Sequence, residues 1–275
     1  MSSPSLVEIH DVLVSIAQRA GERITSARPS VSAIDTKKNS SDLVTETDKA
    51  VEDLVSSTLK SKYPSYSFLG EETYQPGMRL TSAPTFICDP IDGTTNFVHA
   101  HPYVSISLAF VDKMEPLVGV VYNPFLRELY HAVKGHGAYL TKVSPGEGAE
   151  VAELRDVDGT QKLPLTGKAQ EPLEGLNKAL VAVEWGNERS GNNWQVKIKT
   201  FEALAGDQST GGAMVHSLRS LGSAALNLCG VATGHLDVYW EGKQLSKDST
   251  SKCSLLTRNS QGVVGHGMWL LAQSF

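Results

Sequence analysis

Two carboxylates three residues apart, Asp89 and Asp92, stand in the stretch Asp89-Pro90-Ile91-Asp92-Gly93-Thr94-Thr95-Asn96-Phe97-Val98-His99. A proline and a glycine bend the chain between and after them, and two hydroxyl residues and an amide follow at once. Upstream, Phe86-Ile87-Cys88 reads as the end of a buried strand. A strand ending in Asp-Pro-Ile-Asp projects both carboxylates into the crevice beyond the strand end, where open α/β sheets place ligands. Gly93-Thr94-Thr95-Asn96 then reads as a helix start whose N–H groups and hydroxyls suit a phosphate. A plain capping loop, with Asp92 or Thr94 as the cap, is the alternative for any one of these residues. One cap needs one oxygen, so capping does not account for the set. Clustered carboxylates stay ionised only near positive charge, and oxygen-only ligands favour magnesium or manganese over zinc.

Other carboxylates lie at similar positions. Asp42 and Asp48 flank the start of a helix carrying Val51, Leu54, Val55 and Leu59, where the dipole favours negative charge and capping is the ordinary role. Tyr66-Ser67-Phe68-Leu69 reads as a short strand that delivers Gly70-Glu71-Glu72, either a solvated acidic pair or two more ligands. Small residues at the helix start Gly222-Ser223-Ala224 allow a ligand close to backbone N–H groups, or tight helix–sheet packing. Glu241 follows the strand Leu236 to Trp240, exposed or aimed at a ligand.

The elements that must hold these residues alternate along the chain. Ser3-Pro4 can cap a first helix with Ile9, Leu13, Ile16, Ala20 and Ile24 at helical spacing, ending at Arg28-Pro29. Val104 to Val111 alternates as a half-buried strand, followed by strands at 117–122 and 129–133. Gly135-His136-Gly137 is turn geometry. Residues 142–176 form a long excursion of weak period. Ala179 to Val183 is a buried strand, Trp194 to Leu204 an amphipathic helix and Val215 to Leu218 a strand. With 25 basic and 30 acidic residues and a net charge of −5, nothing calls for nucleic acid or an anionic membrane as partner. No apolar run approaches the roughly 20 residues that span a bilayer. The N-terminus has no secretory pattern, and three cysteines of no metal-type spacing form no complete disulfide framework. A cytoplasmic protein is expected.

The central stretch closely resembles the signature of the inositol monophosphatase family, magnesium-dependent and lithium-sensitive phosphatases. Bisphosphatases acting on fructose and on phosphoadenosine share the Asp-Pro-Ile/Leu-Asp-Gly core, and Thr-Thr-Asn-Phe-Val-His is similar to the inositol monophosphatase branch. Further matches run from about Leu6 to Asp248. The resemblance implies an α/β fold, an αβαβα sandwich, and hydrolysis of a phosphate monoester, myo-inositol 1-phosphate above all. A sugar bisphosphate or a nucleotide 3′-phosphate is the alternative ester. It implies two or three magnesium ions held by Glu71, Asp89, the Ile91 carbonyl, Asp92 and Asp248. Glu71 and Thr94 would position the attacking water, and Asp48, a further catalytic residue, would reach the metal site through water, with Lys38 matching a basic residue just before its segment. Substrate would meet Asp92, Gly93, Thr94, Thr95, Gly222, Ser223, Ala224 and Glu241, and family members are commonly homodimers.

After Glu241 the likeness fails. Asp248 keeps the spacing of the family's ligand, but Lys247 replaces a tryptophan and Ser249 to Lys252 replaces a small apolar helix start. The expectation is a catalytic domain over 1–248 and an atypical tail over 249–275. The tail lacks a clear period, which leaves the closing elements of the fold incomplete and a sheet edge exposed. A reading-frame or splicing change, a divergent tail, and a catalytically impaired relative are the readings of that break.

Overall fold

The computed structural model describes residues 4–27, 35–36, 43–75, 77–144, 159–165, 173–243 and 252–257. Helix α1 (Leu6–Ser26) opens on a capping box: the Ser5 hydroxyl accepts from Glu8 N–H at 3.2 Å and the Glu8 carboxylate accepts from Ser5 N–H at 2.7 Å. The cap therefore falls at Ser5, not at Ser3, because the reciprocal partner three residues on is a glutamate only from that position. A short ribbon pairs β1 (Asp35–Thr36) with β2 (Leu43–Val44). Helix α2 (Glu46–Lys62) starts at a Thr45 cap and buries Asp48, Glu52, Val55 and Leu59 on one stripe.

A seven-stranded sheet follows in sequence order, from β3 (Ser67–Gly70), β4 (Thr85–Asp92), β5 (Ser105–Asp112) and β6 (Glu115–Asn123) to β7 (Glu128–Val133), β8 (Gly137–Lys142) and β9 (Thr160–Lys162). Only the β3–β4 pair is parallel; the others are antiparallel, as short connections require. The one-turn helix α3 (Thr94–Val98) leaves the end of β4. Strand β5 was expected to be half-buried, yet Ser105 to Val111 is buried throughout. Helices cover both of its faces, so its alternation of small and large residues does not mark a solvent side.

The second sheet has the order β11-β10-β12-β13, from β10 (Leu180–Val183), β11 (Ser217–Arg219), β12 (Val238–Lys243) and β13 (Lys252–Thr257). Strands β11 and β12 run parallel to β10, and β13 runs antiparallel to β12. The tail thus supplies a strand from Lys252 to Thr257 that pairs along the whole of β12, which its lack of period had not announced.

Helix α5 (Ala224–Thr233) lies between the sheets. Its Leu228 and Val231 pack with Ile87, Ala109 and Val111 of the large sheet and Ala182 and Tyr239 of the small one. On the outer face of the large sheet, Leu13, Ile16 and Val55 pack with Phe86, Ile106 and Val120. On the outer face of the small sheet, Val181, Val183, Val238 and Trp240 meet Leu204 of α4 (Gly191–Ala205). The layers are helix, sheet, helix, sheet, helix, as expected. Each fully buried Leu, Ile or Phe here contributes about 1.5–3 kcal/mol. No helix among the described residues is long and apolar enough to cross a membrane.

Candidate active site

The site grows from an irregular strand end. Asp89 pairs with Ser107 and Asp92 with Ser105, so three steps of β4 oppose two of β5. Pro90 has no N–H to give the ladder, and the bulge re-aims the side chains around it. Asp89 keeps one carboxylate oxygen, Oδ1, buried with no hydrogen-bond partner among the described residues. Burial, then the charges of Glu71 and Asp92, push its proton affinity well above the usual carboxylate range.

Asp92 turns toward the start of α5. It accepts from Ala225 N–H at 2.8 Å, Ala224 N–H at 3.2 Å, the Ser105 hydroxyl at 3.4 Å and the Ser223 hydroxyl. Burial raises its pKa to about 6 against those bonds. The capping alternative for Asp92 is right in kind and wrong in place: the α3 cap is Gly93, at φ 94° with no side-chain bond, and Asp92 instead caps α5 together with Ser223. Thr94 does not cap either.

Thr94 is joined to Asp48 instead. Its hydroxyl lies 3.2 Å from Asp48 Oδ1 and 3.0 Å from the Ile91 carbonyl. Asp48 also completes the capping box of α2, accepting from Thr45 N–H at 2.9 Å, so its capping reading holds. Burial raises its proton affinity, the Thr45 bonds oppose that, and the Glu71 charge adds to it.

Glu71 sits on the exposed turn after β3, anchored by its N–H to the Cys88 carbonyl at 3.0 Å. The residue that holds this turn is Glu52, which motif reading had passed over. Its buried carboxylate accepts from Glu72 N–H at 2.8 Å and Thr73 N–H at 2.9 Å. Gly70 makes room for it, since a Cβ there would fall 2.3 Å from the Glu52 carboxyl carbon. The sequence carried a signal: Glu52 interrupts the buried stripe of α2, where a carboxylate needs a partner.

The start of α5 is fixed by a second unforeseen carboxylate. Glu184, just past β10, accepts from Leu221 N–H at 2.8 Å, Gly222 N–H at 2.9 Å, Asn227 Nδ2 at 2.7 Å and the Ser220 hydroxyl at 3.1 Å. Asn96 ties the same loop to α3, donating to Leu221 O at 2.7 Å and Tyr103 O at 2.8 Å. The N–H groups of Gly222 and Ala224 are therefore turned to carboxylates, while Thr95 is exposed on α3. Glu241 lies within β12, not after it, and the Tyr239 hydroxyl donates to it. The parallel pairing of Val183 with Trp240 sets Glu241 beside the loop that Glu184 begins. Lys38, Asp42 and Asp248 lie outside the described residues.

The donor types here, though not their present spacing, suit a magnesium ion. The buried Asp89 oxygen without a hydrogen-bond partner, the neighbouring Ile91 carbonyl, and the carboxylates of Asp92 and Glu71 make an all-oxygen donor set of the kind magnesium takes. Among the described residues no three acidic, His or Cys side chains are gathered closely enough to hold an ion as they stand; Asp92 faces α5 and Glu71 rides on a turn.

Residues 5–250 match the family model described as the inositol monophosphatase family. Inositol monophosphatase 2 of Saccharomyces cerevisiae is 45% identical over 212 residues, which is 76% of this chain and 64% of that protein. Inositol monophosphatase 1 of the same yeast is 39% identical over 231 residues, 84% of this chain and 72% of that protein. The chain thus spans less than two thirds of the first of these relatives. The extragenic suppressor protein suhB of Bartonella henselae has the same fold, with a TM-score of 0.65 at 24% identity over 86% of this chain and 79% of that one. Motif, layer order and relatives agree: the chain belongs to the inositol monophosphatase family.

Proposed function

We propose that this chain hydrolyses a phosphate monoester, with myo-inositol 1-phosphate the leading substrate, at the end of β4. The observation that carries the reading is the buried, unpartnered Asp89 oxygen beside Glu71 and Asp92, one bulge away from the Thr94–Asp48 pair. Asp89, Asp92, Glu71 and the Ile91 carbonyl would hold magnesium, and Asp248 belongs to the same proposal. Magnesium, when bound, neutralises the ester oxygens and makes a neighbouring water more acidic.

The chain's own groups do the rest. The Thr94 hydroxyl donates toward Asp48 and the Ile91 carbonyl, which leaves a lone pair to accept from a water and fix its direction. Glu71, held by the Glu52-braced turn, receives that water's other proton. Backbone N–H groups of residues 93–95 receive the phosphate. The water oxygen bonds to phosphorus as the ester P–O bond breaks in line, and the departing alkoxide takes a proton, so no covalent phosphoenzyme forms. Glu241 accepts hydrogen bonds from hydroxyls of the leaving polyol, and the Gly222–Ala224 segment lines the same pocket. A homodimer, lithium sensitivity and a cytoplasmic setting are parts of this family reading.

The test is phosphate release from myo-inositol 1-phosphate, a nucleotide 3′-phosphate and fructose 1,6-bisphosphate, with magnesium supplied or chelated and with lithium added. Magnesium-dependent, lithium-suppressed release that favours the inositol ester is expected. Preference for either other ester would overturn the substrate, and release unaffected by chelation would overturn the metal.

A further inference from the structure

Helix α4 packs Leu204 on the small sheet, but its most buried positions are polar. Its buried residues are Asn193 and Lys197, one turn apart, while Val196, Ile198 and Phe201 are 37–39% exposed. A lysine this buried is rare unless its charge is answered. Asn193 donates to Glu188 at 2.6 Å, and Lys197 Nζ donates to the Trp185 carbonyl at 2.7 Å. The inward face of α4 thus grips the 184–189 loop through two polar side chains.

That loop faces Glu241. A Cβ placed on Gly186 would lie 2.9 Å from Lys197 Nζ and 3.8 Å from Glu241 Oε1, so ammonium and carboxylate flank the same bare backbone position. Gly186 is left-handed, at φ 58°, and a side chain there would drive into the ammonium. Burial pulls the Lys197 proton affinity below the usual lysine range, and Glu241, then Glu188 and Glu184, oppose that fall. An ammonium offers three N–H groups and the Trp185 carbonyl uses one. Arg189 braces the loop from the other side, donating to the Trp185 carbonyl at 3.3 Å and stacking 5.9 Å from the Trp194 ring.

We propose that Lys197 is a positioning residue for specificity: from the inward face of α4 it fixes the 184–189 loop beside Glu241 and so holds that carboxylate toward the polyol half of the substrate. The inference rests on the proposed function, in which Glu241 meets the leaving alcohol. The Lys197 ammonium donates to the Trp185 carbonyl inside the 184–189 loop, so its effect falls on recognition and not on bond breaking.

The experiment compares wild type with Lys197→Met and Lys197→Gln on two esters, myo-inositol 1-phosphate and 4-nitrophenyl phosphate, whose leaving group has no polyol hydroxyls. Lys197→Gln keeps a donor for the Trp185 carbonyl, so it serves if Lys197→Met fails to fold. KM for the inositol ester should rise about tenfold while its kcat changes less than about twofold, with both constants for the aryl ester unchanged. In a double-mutant cycle with Glu241→Gln the two KM effects should be strongly non-additive. Equal losses on both esters would reduce Lys197 to a purely structural residue and overturn the inference, as would unchanged KM or additive effects. A wild type that is active on the aryl ester but shows no preference for the inositol ester would overturn the substrate reading, and this inference with it.

Discussion

Two histidines buried far from the site give the sharpest pH prediction. His10 of α1 and His131 of β7 are fully buried and meet through His10 Nε2 and His131 Nδ1 at 3.0 Å. His10 Nδ1 lies 2.9 Å from Asp11, His131 Nε2 lies 3.0 Å from the Thr141 hydroxyl, and the Tyr139 ring stacks on His131. Protonating His131 would bury a charge beside a second imidazole. Its pKa is accordingly pushed down to about 3, by burial first and then by His10. The unfolded chain titrates near 6.5, so above that value the histidine costs nothing. As pH falls from there toward 3, only the unfolded chain takes up the proton, and stability is lost. Linkage gives a loss of about 2 kcal/mol between pH 7.5 and pH 5 from this one residue. The assay is urea unfolding of metal-free protein at both pH values, for wild type and His131→Asn. The buried carboxylates act in the opposite direction, since their raised pKa values favour the fold as pH falls, but they are common to both proteins and cancel in the difference. Wild type should lose about 2 kcal/mol more than the variant over this interval. The same pH dependence in both would refute the argument.

Thr94→Ala should lower kcat about a hundredfold while KM moves little, because the hydroxyl orients the water and not the ester; steady-state kinetics at saturating magnesium decides this. Glu52→Gln should weaken magnesium binding about tenfold without unfolding the protein, since it loosens the turn that carries Glu71; calorimetric titration with magnesium measures it. Ser5→Ala removes one half of the α1 capping box and should cost about 1 kcal/mol with unchanged kcat, read by thermal unfolding and turnover together.

The strand end was legible because its chemistry is local. Asp89, Ile91, Asp92 and Thr94 sit within six residues, and spacing alone placed them on a strand, a bend and a helix start. Asp48 was legible as a cap, and the structure shows that cap together with a hydrogen bond from Thr94. The residues that brace the site were not legible, because their partners are distant in sequence. Glu52 holds Glu72 and Thr73 across a turn, Glu184 holds a loop beyond β11, and Asp92 caps a helix that begins at Ala224. Such contacts have no period and no fixed spacing; only a charge on a buried stripe hints at them, as at Glu52 and Lys197. Helix α4 was read as amphipathic from Trp194 to Leu204; Leu204 does pack on the small sheet, but the buried positions are Asn193 and Lys197, which grip the 184–189 loop. Strand β13 escaped for the complementary reason: pairing with β12 makes it a strand, and its own residues alternate only weakly.

The most direct test of the central claim is the magnesium dependence of phosphate release from myo-inositol 1-phosphate by wild type and Asp89→Asn, at matched fold content. Wild type should turn over only with magnesium, and Asp89→Asn should fall to background at every magnesium concentration, because it removes the buried carboxylate of the proposed ligand set. A folded Asp89→Asn protein that still hydrolyses the ester at near wild-type rate would contradict the account.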